Sequence, residues 1–122
     1  MNTRIAQGRD TMRSVAVVVV GTGTALGGLP AKAQMEEVVR MQTLMALATV
    51  LASETECGLS YEPDAIRTMI DRHRAPGDLG FASELDSFVE MEAYADKRSE
   101  SQQVAHCRAV ETSAREEGLL GR

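Results

Sequence analysis

The sequence predicts an all-α fold: a small bundle of about four helices with one disulfide, preceded by a cleavable signal peptide. Three observations carry that prediction. Apolar residues recur at three- and four-residue spacing, and no stretch shows the two-residue alternation of a half-buried strand. Turn formers at Gly58, Ala75-Pro76-Gly77 and Gly118 divide or end the periodic segments. Two cysteines, Cys57 and Cys107, lie far apart in a chain whose N-terminus reads as an export signal.

The first helix is expected from about Glu36 to Thr55. Val38, Met41 and Met45, with Leu44, Leu47 and Leu51, keep helical spacing. From Met41 to Ala52 only Gln42, Thr43 and Thr49 interrupt an otherwise apolar segment. A helix apolar nearly all round is buried on more than one side. Gly58 stops this helix just after Cys57, as a glycine that tolerates a left-handed backbone does. Ser60 or Glu62 caps the second helix and Pro63 suits its first turn. Ile66, Met69, Ile70 and His73 share one of its faces, and Arg72 and Arg74 complement its C-terminal dipole.

Asp78 is the expected N-cap of a third helix from about Leu79 to Lys97, with Phe81, Leu85, Phe88, Val89 and Glu92 on one side. Ser99 opens the fourth helix with Gln102 three residues on, the spacing of a capping box. Val104, Cys107, Val110 and Ala114 recur along it, and Gly118 ends it, leaving Leu119-Leu120-Gly121-Arg122 as a tail.

The N-terminus carries Arg4, Arg9 and Arg13 against one acid, Asp10. An apolar run from Val15 to Val20 continues through small residues to Leu26, and Pro30 and Ala31-Lys32-Ala33 follow. That order is the one a signal peptidase reads, with cleavage expected between Ala33 and Gln34. The apolar run is shorter than the ~20 residues of a membrane span, so no stable anchor is expected after cleavage. Residues 1–33 are thus the signal peptide and residues 34–122 the helical domain, periplasmic or secreted. In that location Cys57 and Cys107 are expected to pair as a disulfide closing about 50 residues, worth roughly 4 kcal/mol in the chain-entropy model.

The domain from Gln34 holds nine Lys and Arg against seventeen Asp and Glu, a net charge of −8. Nucleic acid is excluded as a partner, because phosphate binding rests on an excess of Lys and Arg. No catalytic motif stands out. The soft metal ligands are His73, His106 and Cys107, and no paired spacing joins them. Glu84, Asp86, Glu90, Glu92 and Asp96 crowd one helix instead of facing each other across a cleft. No Gly-x-Ser-x-Gly elbow and no phosphate-cradling glycine loop occurs. No cofactor, metal or catalytic residue is therefore expected. The alternative is a small metal-binding protein or enzyme built on His73 and the acidic helix. Met35, Met41, Met45, Met69 and Met91 make the domain rich in adaptable side chains. Met41, Leu44, Met45, Leu47 and Leu51 are the candidate partner-binding residues, wherever the bundle leaves them open.

Three strings, Cys57-Gly58-Leu59-Ser60-Tyr61, Gly80-Phe81-Ala82-Ser83-Glu84-Leu85 and Ala105-His106-Cys107, resemble a group of small exported proteins of alphaproteobacteria. The resemblance supplies no catalytic residue. The architecture, small and helical with one disulfide, is also similar to periplasmic acid-stress chaperones, although their motifs do not match. Together these readings imply an exported, non-enzymatic protein that binds another protein, in a chaperone-like or stress-accessory role. Acid exposure of an apolar helix face is the sharper form of that expectation.

Overall fold

A computed structural model describes residues 30–95 and 97–121. Four helices are formed among them: α1 (Ala31–Ala52), α2 (Pro63–His73), α3 (Phe81–Ala93) and α4 (Glu100–Glu116). The only β feature of the described residues is one antiparallel bridge between Tyr61 and Leu120. The expected export signal lies outside the described residues except for its last four positions. Of these, Ala31–Ala33 form the first turn of α1, so the expected cleavage bond sits inside that helix.

The α1 helix starts five residues earlier than its spacing predicts, because Ala, Lys and Gln at its start are good helix formers. Regular α geometry stops at Ala52, short of Thr55. The Ser53 hydroxyl bonds the Thr49 carbonyl at 2.7 Å, competing with the backbone ladder. The chain still turns helically to Gly58, whose φ of 63° allows a close. There the Leu59 N–H reaches the Glu54 carbonyl at 2.8 Å and the Gly58 N–H reaches Thr55 at 3.2 Å. Gly118, at φ 72°, ends α4 with the same pair of bonds, from Leu119 to Ala114 and from Gly118 to Arg115.

The α3 helix is shorter than expected at both ends, and Gly80 holds its cap position instead of Asp78. Asp78 lies two residues further back, where its carboxylate is bonded by Arg40. The capping box of α4 forms in both directions: the Ser99 hydroxyl accepts from the Gln102 N–H, and the Gln102 side chain accepts from the Ser99 N–H.

The α1 helix is the axis of the fold. It packs most extensively along α3 and more lightly on α4. α1 and α3 run in the same sense: Arg40, midway along α1, reaches Asp78 and Glu84 at the start of α3, while Ala52 and Ala93 line one cleft at their ends. The core is small. Leu44, Leu47, Ala48 and Val50 of α1 meet Met69, Phe81, Leu85, Val110, Ala114 and Leu119, with Tyr61 closing one edge. The Tyr61 hydroxyl donates to the Val50 carbonyl at 2.9 Å, and burial, then the nearby Glu54 charge, pushes its pKa up to about 12. Cys57 and Cys107 are joined, with Cα atoms 5.2 Å apart, pinning the end of α1 to the middle of α4. The expected free tail is a correction: Leu119 is fully buried, and its carbonyl accepts the Glu62 N–H at 3.0 Å.

Candidate functional site

Each α1 residue advances about 100° around the helix axis, so residues three and four apart share a side. On one side lie Leu44 and Leu47, both in the core, with Leu51 packed against it. Arg40 continues that same bundle-facing side toward the N-terminus. The opposite side carries Met35, Val38, Gln42 and Met45, with Val39 and Met41 on its flanks. Its apolar members are open to solvent: Met35 by 64%, Val38 by 51%, Val39 by 53% and Met45 by 49%. The five candidate partner-binding residues therefore divide. Met41 and Met45 are exposed, whereas Leu44, Leu47 and Leu51 serve the core.

A surface helix ordinarily turns its apolar stripe inward and its charges outward. In this half-helix Glu36 and Glu37 are exposed as expected, but the apolar stripe is exposed as well, and Arg40 alone turns to the bundle. The Arg40 guanidinium grips Asp78 through two bonds of 2.7 and 3.1 Å and Glu84 through a third of 2.7 Å. Hydrogen bonds from Arg40 hold the Asp78 and Glu84 carboxyls below the usual range, and those carboxylates raise the Arg40 pKa in turn. This clamp fixes the rotation of α1 about its axis, and with it the outward aim of Met35, Val38 and Met45.

The remaining chemistry-bearing groups are engaged elsewhere. His73 Nε2 contacts the Glu117 carboxylate at 2.9 and 3.0 Å, and Arg72 pairs with the same carboxylate. Burial pushes the Glu117 pKa up, but the bonds from His73 and Arg72 outweigh it and leave the group below its usual range. His73 thus locks α2 to the end of α4. It also lines an open cleft of about 420 Å³ with Glu36, Glu37, Arg40 and Asp78. Among the described residues no group of three His, Cys, Asp or Glu is placed to hold a metal ion.

His106 is half-buried, and its Nε2 lies 2.8 Å from Ser53 Oγ. A serine beside a histidine invites a nucleophile reading, but the geometry opposes it. The single hydroxyl proton of Ser53 is directed at the Thr49 carbonyl, so the imidazole nitrogen donates to Oγ. Ser53 is also only 4% exposed, so it presents little surface to a substrate. The pair ties α1 to α4 beside the disulfide. Sequence reasoning missed it because the partners are separated by 53 positions and neither carries a motif.

Among the described residues no helix is long and apolar enough to cross a membrane. No family model matches the chain, and neither a curated protein nor a solved structure does.

Proposed function

We propose that this chain is an exported, non-enzymatic protein-binding protein whose contact surface is the outer face of α1. One observation carries the reading: Met35, Val38, Val39 and Met45 of α1 are about half or more open to water, while Arg40 on the other side of the helix is held by Asp78 and Glu84. An apolar stripe of this kind stays stable when a partner covers it. Methionine and valine suit such a contact, because methionine adapts its shape and valine has little side-chain entropy to lose. The expected export signal and the disulfide support an encounter in the periplasm or outside the cell. The engaged state of His73, Ser53 and His106 supports a binding role over a catalytic one.

The test is capture from the exported fraction with the oxidised protein as bait, comparing the native chain with Val38→Glu and Met45→Glu. Both side chains are half-exposed, so circular dichroism should be unchanged in the variants. The reading expects a protein that the native chain retains and both variants lose. Retention of the same proteins by all three baits would refute it.

A further inference from the structure

The α2 helix packs closely along no other helix. Between it and the α1–α3 pair lies an open cleft of about 280 Å³. Leu51 of α1, Ile66 and Ile70 of α2, and Leu85 and Val89 of α3 line it, and all but Leu85 are only partly buried. Two carboxylates share this apolar lining: Glu54, just past the end of α1, and Asp86 of α3. None of these residues belongs to the expected signal. An apolar cleft with a few polar groups converging on it is the usual form of a small-molecule site.

The geometry points to a small amphiphilic amine as the ligand of this cleft: an apolar body carrying a single ammonium group. The charge on the cleft selects it. Every described arginine is in an ion pair elsewhere, and among the described residues neither Glu54 nor Asp86 has a cationic partner. Glu54 accepts the Tyr61 backbone N–H through Oε1 at 2.7 Å, which leaves its second oxygen for a ligand. Asp86 is exposed and accepts no hydrogen bond from the described residues. An ammonium group has three N–H donors to share between the two carboxylates. The apolar body covers Leu51, Ile66, Ile70 and Val89, whose remaining exposed surface gains by leaving water.

Other ligand classes fit less well. Fatty acids and other apolar anions meet two like charges. A hard metal ion needs six or more oxygen ligands or tightly held waters, and the lining supplies two carboxylates among hydrocarbon. The volume lies just below the ordinary range of small-ligand pockets, too small for a peptide segment. The net charge of −8 on the domain from Gln34 also draws cations toward the surface. The site does not involve the outer face of α1, and its ligand is independent of any protein bound there.

Phenethylamine is the probe, with phenylpropionate and phenethyl alcohol as its anionic and neutral counterparts. Amide chemical shifts of the oxidised protein are followed as each is added. The amine should move the amides of Leu51, Glu54, Ile70, Asp86 and Val89 along one saturable curve. Its dissociation constant is expected on the order of 1 mM, as suits so small a ligand on an open cleft. The alcohol should bind more weakly, and the anion should leave those amides in place. Asp86→Asn should raise the dissociation constant about two- to fivefold, the range of an exposed ion pair. Ala82→Phe, which fills the cleft from an exposed position on its wall, should raise it at least tenfold. Glu116→Gln on exposed α4 removes the same charge far from the cleft and should leave binding unchanged. Circular dichroism confirms that each variant is folded. No saturable shift with phenethylamine overturns the inference, as do shifts spread over the acidic surface. Equal binding of the alcohol or the anion overturns it too, and so does a dissociation constant indifferent to Asp86→Asn or to Ala82→Phe.

Discussion

Removing the Cys57–Cys107 bond, by a reductant or by the double substitution Cys57→Ala with Cys107→Ala, deletes a crosslink between positions 50 apart. In the chain-entropy model, closing a loop of that length removes about 14 cal/mol/K from the unfolded ensemble, or roughly 4 kcal/mol at 25 °C. The structure argues for most of that value. The bond joins the end of α1 to the middle of α4, and the loop it closes contains all of α2 and α3. Small domains hold about 5–15 kcal/mol in total, so the loss is a large fraction of what is available. For a domain of this size it corresponds to a fall in Tm of about 15–30 °C. Thermal unfolding followed by circular dichroism, with and without reductant, measures it. Coincident curves, or a fall of less than about 5 °C, would refute the argument that the bridge is a principal source of stability.

The pH dependence has a defined sign. Asp78, Glu84, Glu111 and Glu117 all have folded pKa values below the ordinary carboxylate range, so their contribution is complete above that range and is lost as pH falls through the lowered values. The urea midpoint should stay level from pH 7 to 5 and fall below about pH 4, where apolar dye binding should rise; a midpoint that rises on acidification contradicts this. Leu119→Ala should cost about 2–5 kcal/mol in urea unfolding, since the side chain is fully buried in the core; a cost near zero would mean the C-terminal segment is dispensable. Tyr61→Phe leaves the Val50 carbonyl without its hydroxyl donor and should cost about 1–2 kcal/mol by the same measurement. An unchanged midpoint would show that water replaces the bond.

The helix count was legible because the breaks are chemically strong. Gly58 and Gly118 take the left-handed backbone that stops a helix, and Ser99 and Gln102 close the box their spacing announces. The disulfide was legible because two cysteines behind an expected export signal leave one intramolecular pairing. The inner and outer sides of α1 were not separable. Apolar residues surround the helix, so spacing cannot say which of Leu44 and Met45 is buried; the Arg40 grip on Asp78 and Glu84, 38 and 44 positions away, settles it. Leu119 was misread as tail because it follows a helix stop, and only the folded chain shows the segment running back beside Glu62. His106 gave no signal because its partner, Ser53, belongs to a different helix.

The outer face of α1 is tested most directly by placing a photo-reactive benzoylphenylalanine at position 38 and, separately, at position 67 on exposed α2, then irradiating intact cells. Discrete adducts containing a second polypeptide should form from position 38 and be absent from position 67. Equal adducts from both positions, or none from position 38, would contradict a docking role for this face.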